Sequence, residues 1–253
     1  MQKPILVTGG TGTLGRVVVQ QLLDAGRDVR VLSRRPRSTA AGHEWATGDL
    51  RTGEGIEAAT SGVDAIVHCA TTLSSKDVAA TQRLIDSARR HGDPHLIYIS
   101  IVGVDRVPLF YYRAKLEAEE RVTSSKLPWT ILRTTQFHDL IARTISAQRR
   151  SPVIGVLAGV DFQPIDVRDV AERLAELAVG APAGRVPDMG GPEIRSHDDL
   201  ARAYLAATGR RRLVLPVRLP GAVVTGYRRG GHLAPEQAVG RVTFSEFLAE
   251  QRR

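Results

Sequence analysis

The feature that most constrains this chain is the run at residues 5–15, I-L-V-T-G-G-T-G-T-L-G. An apolar strand core (Ile5, Leu6, Val7) runs straight into Gly9, Gly12 and Gly15, after which Val17, Val18, Leu22 and Leu23 recur at helical spacing. A strand, a tight glycine turn and a helix start leave unpaired backbone N–H groups and the positive end of a helix dipole aimed at one spot. Gly9 permits the turn, Gly12 lets a pyrophosphate approach the backbone, and Gly15 lets the helix pack close on the strand. A glycine-rich hairpin would give the same string, but here the strand precedes it and the helix follows, as a dinucleotide-binding turn requires. Thr8, Gly9, Gly10, Thr11, Gly12, Thr13, Leu14 and Gly15 are the expected cofactor contacts.

What surrounds this turn has the composition of an ordinary globular protein: 42% of the 253 residues are hydrophobic and 25% charged. No apolar run reaches eighteen residues, so no spanning helix is expected. The first strand starts almost at once, which leaves no room for a signal peptide, and the single cysteine, Cys69, excludes an internal disulfide. Both point to a cytoplasmic protein. The net charge of +8 is concentrated: residues 200–253 hold ten Arg and three Glu, a local +7. Such a patch can attract nucleic acid, an acidic membrane surface or an anionic substrate. No aromatic interleaving or helix-turn-helix pattern accompanies the arginines, so a solvated basic surface is the preferred reading and nucleic acid is not an expected partner.

Downstream, strands and helices alternate. Asp28–Ser33 reads as the second strand of a βαβ unit. An acidic residue at its end would bind the ribose 2′-OH of NAD. The chain instead has Ser33-Arg34-Arg35, with Arg34 nineteen residues beyond Gly15. A hydroxyl and guanidinium forks suit a 2′-phosphate, so NADP is preferred, with NAD the alternative and a solvent-facing arginine pair the structural one. Asp49 and Leu50 end a short third strand, where Asp49 could accept from the adenine amine or cap a loop. Val63–Cys69 is strand four, and the small residues Cys69, Ala70, Thr71 and Thr72 after it let a cofactor pass close. Cys69 reads as a small hydrophobe rather than a nucleophile. A helix over 76–91, a strand at His95–Ser100, a helix over 110–126 and a strand at Trp129–Arg133 follow. The order predicts an α/β, Rossmann-type doubly wound parallel sheet with its ligand across the strand carboxyl ends. Residues 1–150 form the expected binding core. Residues 151–253, with helices near 167–179 and 196–207, add the remaining core elements and a small C-terminal substrate lobe in one continuous fold. Asp166 is the expected N-cap of the first of those helices.

Four strings in order, T-G-G-T-G-T-L-G (8–15), Y-Y-R-A-K (111–115), L-R-T-T-Q-F-H (132–138) and I-D-V-R-D-V-A (165–171), resemble the atypical short-chain dehydrogenase/reductase superfamily, specifically its NmrA-like branch. The resemblance covers the whole chain and implies an NAD(P) cofactor and a C-terminal substrate lobe. In active members a Y-x-x-x-K pair carries catalysis, which maps onto Tyr111 and Lys115. Residues four apart share a helix face, so the ammonium would favour the phenolate and lower the tyrosine pKa from about 10. The tyrosine would then exchange a proton with a carbonyl oxygen while hydride moves at the nicotinamide. Lys115 would also bond the nicotinamide ribose, and Ser100 would be the helper hydroxyl. Gln136, Phe137 and His138 fall where the family's loop passes the nicotinamide, as candidate substrate contacts; Thr134 stands where members commonly carry proline. The implied activity is an NADP-dependent oxidoreductase acting on a small carbonyl, enone or quinone. A redox-sensing regulator that binds NADP without turnover is the alternative. No metal is expected, and the oligomeric state is not legible.

Overall fold

A computed structural model describes residues 3–37 and 42–251. In chain order its elements are β1 (Ile5–Thr8), α1 (Thr13–Asp24), β2 (Val29–Ser33), β3 (Glu44–Thr47), α2 (Ile56–Thr60), β4 (Ala65–His68), α3 (Lys76–Arg90), β5 (His95–Ile101), α4 (Phe110–Thr123) and β6 (Trp129–Thr134). They continue with α5 (His138–Ala147), β7 (Val153–Leu157), β8 (Asp161–Phe162), α6 (Val167–Val179), β9 (Gly184–Arg185), β10 (Arg195–Ser196), α7 (His197–Ala207), β11 (Leu213–Val217), α8 (Ala222–Arg228) and α9 (Phe244–Glu250). The expected α/β class holds, and most expected elements match to within a few residues.

Contacts divide the chain into two compact units that interleave in sequence. The first takes residues 1–100, 110–132 and 170–187; the second takes 101–109, 133–169 and 188–253. The first unit therefore recruits a helical stretch and β9 from well beyond residue 150.

The first unit is built on the seven-stranded sheet, in the order β3-β2-β1-β4-β5-β6-β9. β1 lies parallel to β2 on one side and to β4 on the other. The chain moves outward from β1 through β2 to β3, then returns to the far side of β1 for β4. That reversal is the topological switch point, where open α/β sheets bind ligands at the strand carboxyl ends. Both faces of the sheet are covered, so the strands read as continuous apolar runs rather than alternating ones. Leu6, Ile66, Leu96 and Ile131 pack with Leu84, Ile85, Ala118 and Val122 of α3 and α4 into one buried cluster.

The second unit has its own core, where Ile141 and Ile145 of α5 meet Leu200 and Leu205 of α7, Ile154 and Val156 of β7, and Phe244, Phe247 and Leu248 of α9. α9 starts at a reciprocal cap: Thr243 accepts from the Glu246 N–H, and the Glu246 carboxylate accepts from the Thr243 N–H. Asp166 caps α6 as expected, accepting from the Arg168 N–H at 2.8 Å.

Candidate functional site

The glycine turn sits at the carboxyl end of β1. Gly9 has φ +69°, and a Cβ there would lie 2.7 Å from the Ala70 nitrogen, so only glycine lets β1 and the loop after β4 abut. Gly12 caps α1 in extended geometry (φ −83°, ψ 177°) and donates its N–H to the Gly9 carbonyl at 2.9 Å. A Cβ on Gly12 would meet only that carbonyl, at 3.2 Å, and Thr11 and Gly12 are exposed. This is the open side from which a phosphate can reach the α1 N–H groups. Gly15 differs from expectation in its partner: its Cβ position is filled by the Gly9 carbonyl, so it seats the helix on the turn rather than on the strand. Thr13 is half-buried, while Leu14 is buried and belongs to the packing beneath the turn.

Ser33, at the end of β2, is buried, and its hydroxyl donates to the Arg35 carbonyl at 2.9 Å. Arg34 and Arg35 are exposed and form no ion pair among the described residues. Asp49 is differently engaged from what an adenine contact requires. Arg51 grips its carboxylate through Nε and Nη2, at 2.7 Å for the shorter contact, and this bond holds the carboxyl below its ordinary range. Leu50 turns into the buried cluster of the first unit, so its side chain is core. Cys69 and Ala70 are half-buried and Thr71 and Thr72 exposed; burial pushes the Cys69 thiol up to about 12, as for an inert small hydrophobe.

Behind this edge runs a buried polar network. Lys115 is buried and donates to the Tyr98 hydroxyl at 3.1 Å and the Ile99 carbonyl at 2.8 Å. Burial lowers its pKa to about 8, against the charges of Asp77 and Glu119, which raise it. The Tyr111 hydroxyl meets Thr71 Oγ1 at 2.9 Å. The expected depression of the Tyr111 pKa is therefore overturned: burial raises it to about 12, Asp77 adds to the rise, and the Thr71 bond only opposes it. The ammonium is committed to Tyr98 and Ile99 instead. Ser100 Oγ is buried and has no hydrogen-bond partner among the described residues, an orphan hydroxyl at the end of β5.

Three contributors escaped the sequence reading. Asp77, in the first turn of α3, accepts from Thr72 N at 2.7 Å, Thr72 Oγ1 at 2.6 Å and Thr71 Oγ1 at 2.5 Å, fixing the loop after β4. His68 joins Thr8 Oγ1 at 2.6 Å to Thr81 Oγ1 at 3.1 Å. Because Thr81 spends its own proton on the Asp77 carbonyl, His68 Nε2 is the donor to Thr81, and Thr8 donates to Nδ1. Burial and the Lys115 charge lower the His68 pKa to about 3, which keeps it neutral. Thr8 thus faces inward with its hydroxyl engaged, so its side chain is a support of the turn. Tyr98, the third, receives Lys115. Only Asp77 left a sequence signal, an acid in the first turn of a helix.

Gln136, Phe137 and His138 belong to the second unit. Gln136 is buried and pairs through its carbonyl with the Ile165 N–H, and Phe137 is half-buried at the N-cap of α5. His138 corrects the reading of it as a substrate contact. It is fully buried, its Nε2 meets the Val242 carbonyl at 2.9 Å, and its ring packs on Phe244 and Phe247 at 5.6 and 5.2 Å. It ties the approach to α9 against α5.

An open glycine turn at the switch point, at the start of α1 and with the exposed Arg34 and Arg35 at the end of the neighbouring β2, fits a dinucleotide coenzyme. Residues 9–178 match a family described as NAD(P)H-binding. The chain belongs to that family, in the NmrA-like branch of the atypical short-chain dehydrogenase/reductases. It is 32% identical over 196 residues to a (4-alkanoyl-5-oxo-2,5-dihydrofuran-3-yl)methyl phosphate reductase of Streptomyces griseus, a match covering 75% of this chain and 68% of that protein. It is 29% identical to the photosystem II assembly factor Ycf39 of Trieres chinensis, over 66% of this chain and 57% of that one. The fold matches an NADPH-dependent quinone oxidoreductase from Escherichia coli solved with NADPH, at a TM-score of 0.85 and 18% identity, covering 98% of this chain and all of that one. Among the described residues no helix is long and apolar enough to cross a membrane, and no cluster of metal-ligating side chains occurs.

Proposed function

We propose that this protein is an NADP(H)-dependent reductase that delivers hydride to a small carbonyl, enone or quinone. The observation that carries the choice of coenzyme is the end of β2, which carries Ser33 and the exposed Arg34 and Arg35 instead of an acidic residue; neither arginine is held in an ion pair among the described residues, and the nearby Asp49, which feels the Arg34 charge, is bonded to Arg51. The turn at Gly9–Thr13 would hold the pyrophosphate, the two arginines the 2′-phosphate, and Ala70–Thr72 the passage of sugar and phosphates. When bound, the coenzyme supplies the hydride. Lys115, fixed by Tyr98 and Ile99, holds a proton at neutral pH and would bond the nicotinamide ribose. Ser100, a hydroxyl lacking a partner, would donate to the substrate oxygen. Tyr111 would carry the proton that balances the hydride, and it keeps that proton throughout the neutral range. The reductase and quinone oxidoreductase similarities support this class of reaction.

A second reading has one specific observation behind it. Tyr111 is bonded to Thr71 and pushed up to about 12, which makes it a weak acid and suits a chain that binds NADP(H) without turning substrate over. The likeness to an assembly factor supports the same reading. Fluorescence titration with NADPH and NADH, followed by NADPH consumption on a quinone and enone panel, separates the two. Turnover lost in Lys115→Met supports the reductase; tight binding with no turnover favours the sensor; preference for NADH overturns the assignment of Arg34 and Arg35.

A further inference from the structure

The second unit carries a surface that the proposed coenzyme site does not use. β7 and β11 form a two-stranded parallel sheet in the register Leu213 opposite Val153, Leu215 opposite Gly155 and Val217 opposite Leu157. Side chains alternate across a strand, so Ile154, Val156 and Val214 point inward and are buried in the second core. Leu213 and Leu215 point outward and are 64% and 50% exposed. Val153 and Val217, half-buried, share that outer face, while Leu157 packs against the second core; Leu219 just beyond the face is 46% exposed. Contiguous exposed aliphatic side chains of this kind mark an interaction surface.

Because the strands are parallel, both begin at one end of this face, and there the chain places its arginines. Arg149 and Arg150 precede β7; Arg210, Arg211 and Arg212 precede β11. Arg212 binds the two segments together by donating to the Gln148 and Arg149 carbonyls, at 2.9 and 2.5 Å. Arg149, Arg150, Arg210 and Arg211 are exposed and have no ion-pair partner among the described residues. Arg218 follows at the other end, and no acidic residue occurs between Asp199 and Glu236.

We propose that this face docks on an anionic membrane surface, its leucines entering the interfacial layer while the arginines at its end meet lipid phosphates. Charge selects this occupant. A second copy seated face to face would bring arginines against arginines in either orientation, because Arg218 stands at the opposite end and no acidic residue lies over 200–235, and like charges disfavour that pairing. Nucleic acid would use the arginines but leave the leucines in water, with no aromatic side chain on the face for stacking. An acidic bilayer uses both, since interfacial binding adds buried apolar area to attraction between basic side chains and anionic headgroups. This inference stands independently of the reductase reading.

The test is flotation of the full chain with vesicles of phosphatidylcholine alone and of phosphatidylcholine mixed with phosphatidylglycerol. Binding is expected only to the mixed vesicles, and it falls as salt is raised. Arg210→Gln with Arg211→Gln weakens it about 30-fold, and Leu213→Gln with Leu215→Gln abolishes it, while circular dichroism shows both variants folded. If the leucine pair fails to fold, Leu215→Ser replaces it. The proposal is overturned by no binding to mixed vesicles, by equal binding to both kinds, or by indifference to the leucine changes. It is equally overturned if sedimentation shows a dimer that the leucine changes dissolve, or if the arginines serve duplex DNA binding that the leucine variant retains.

Discussion

Acidification should destabilise the second unit through His232. This side chain is fully buried, its Nε2 donates to the Asp161 carbonyl at 2.8 Å, and its ring packs on Tyr227 and Phe162 at 4.4 and 5.2 Å. Nδ1 has no partner among the described residues, so a second proton would be a buried charge without an acceptor. Burial, with a smaller push from Arg106, drives its pKa down to about 4, although the Asp161 bond resists. The unfolded chain takes up that proton near the ordinary histidine value of about 6.5. Between these two values the unfolded state binds more protons, so stability falls as pH drops and levels off below about 4. The linkage gives a loss of about 2 kcal/mol by pH 5 and about 3 kcal/mol at the limit. Both tryptophans, Trp45 and Trp129, lie in the first unit, so intrinsic fluorescence reports on the wrong half. Urea unfolding followed by amide hydrogen exchange over 195–217, at pH 7.5, 6 and 5, reads the second unit directly. His232→Gln, which keeps a donor for Asp161, should be less stable at pH 7.5 but lose about 2 kcal/mol less on going to pH 5. An unchanged slope in that variant would refute the reasoning.

Three further outcomes are expected. Arg34→Ser with Arg35→Ser should weaken NADPH binding by about 10- to 100-fold, the worth of a charge-assisted contact, and leave NADH binding unchanged in a fluorescence titration. Gly9→Ala should cost about 1–3 kcal/mol, because alanine resists φ +69° and its methyl would press on Ala70; a thermal melt with unshifted midpoint would contradict this. If turnover is found, its rate should fall above pH of about 8 as Lys115 loses its proton, with no break from Tyr111 until near 12, and Lys115→Arg, whose guanidinium stays charged, should remove the lower break.

The glycine turn shows how far local chemistry reaches. Strand, turn and helix at residues 5–24 follow from periodicity and from glycine's access to positive φ, which are properties of neighbours in sequence. The same holds for α6, whose bounds and Asp166 cap were both legible. His138 shows where that reach ends. Its type and its place after β6 suggested a binding loop, but burial between α5 and α9 depends on Val242, Phe244 and Phe247, more than a hundred residues away. Lys115 and Tyr111 make the same point at close range: helical spacing put them on one side of α4, and tertiary packing gave them different partners, Tyr98 and Thr71.

By itself, then, the sequence determined that this chain has a strand, glycine turn and helix with a basic strand end downstream, set in alternating strands and helices. Those features are written in short-range patterns that any fold must satisfy. Tertiary structure alone decided which hydroxyls and charges are spent inside the protein and which are left over. It turned Thr8 inward onto His68, gave Asp49 to Arg51, left Ser100 without a partner among the described residues, and gathered arginines from residues 149–150 and 210–212 at one end of a leucine face. Desolvation and hydrogen-bond pairing depend on three-dimensional neighbours, and no spacing along the chain encodes them.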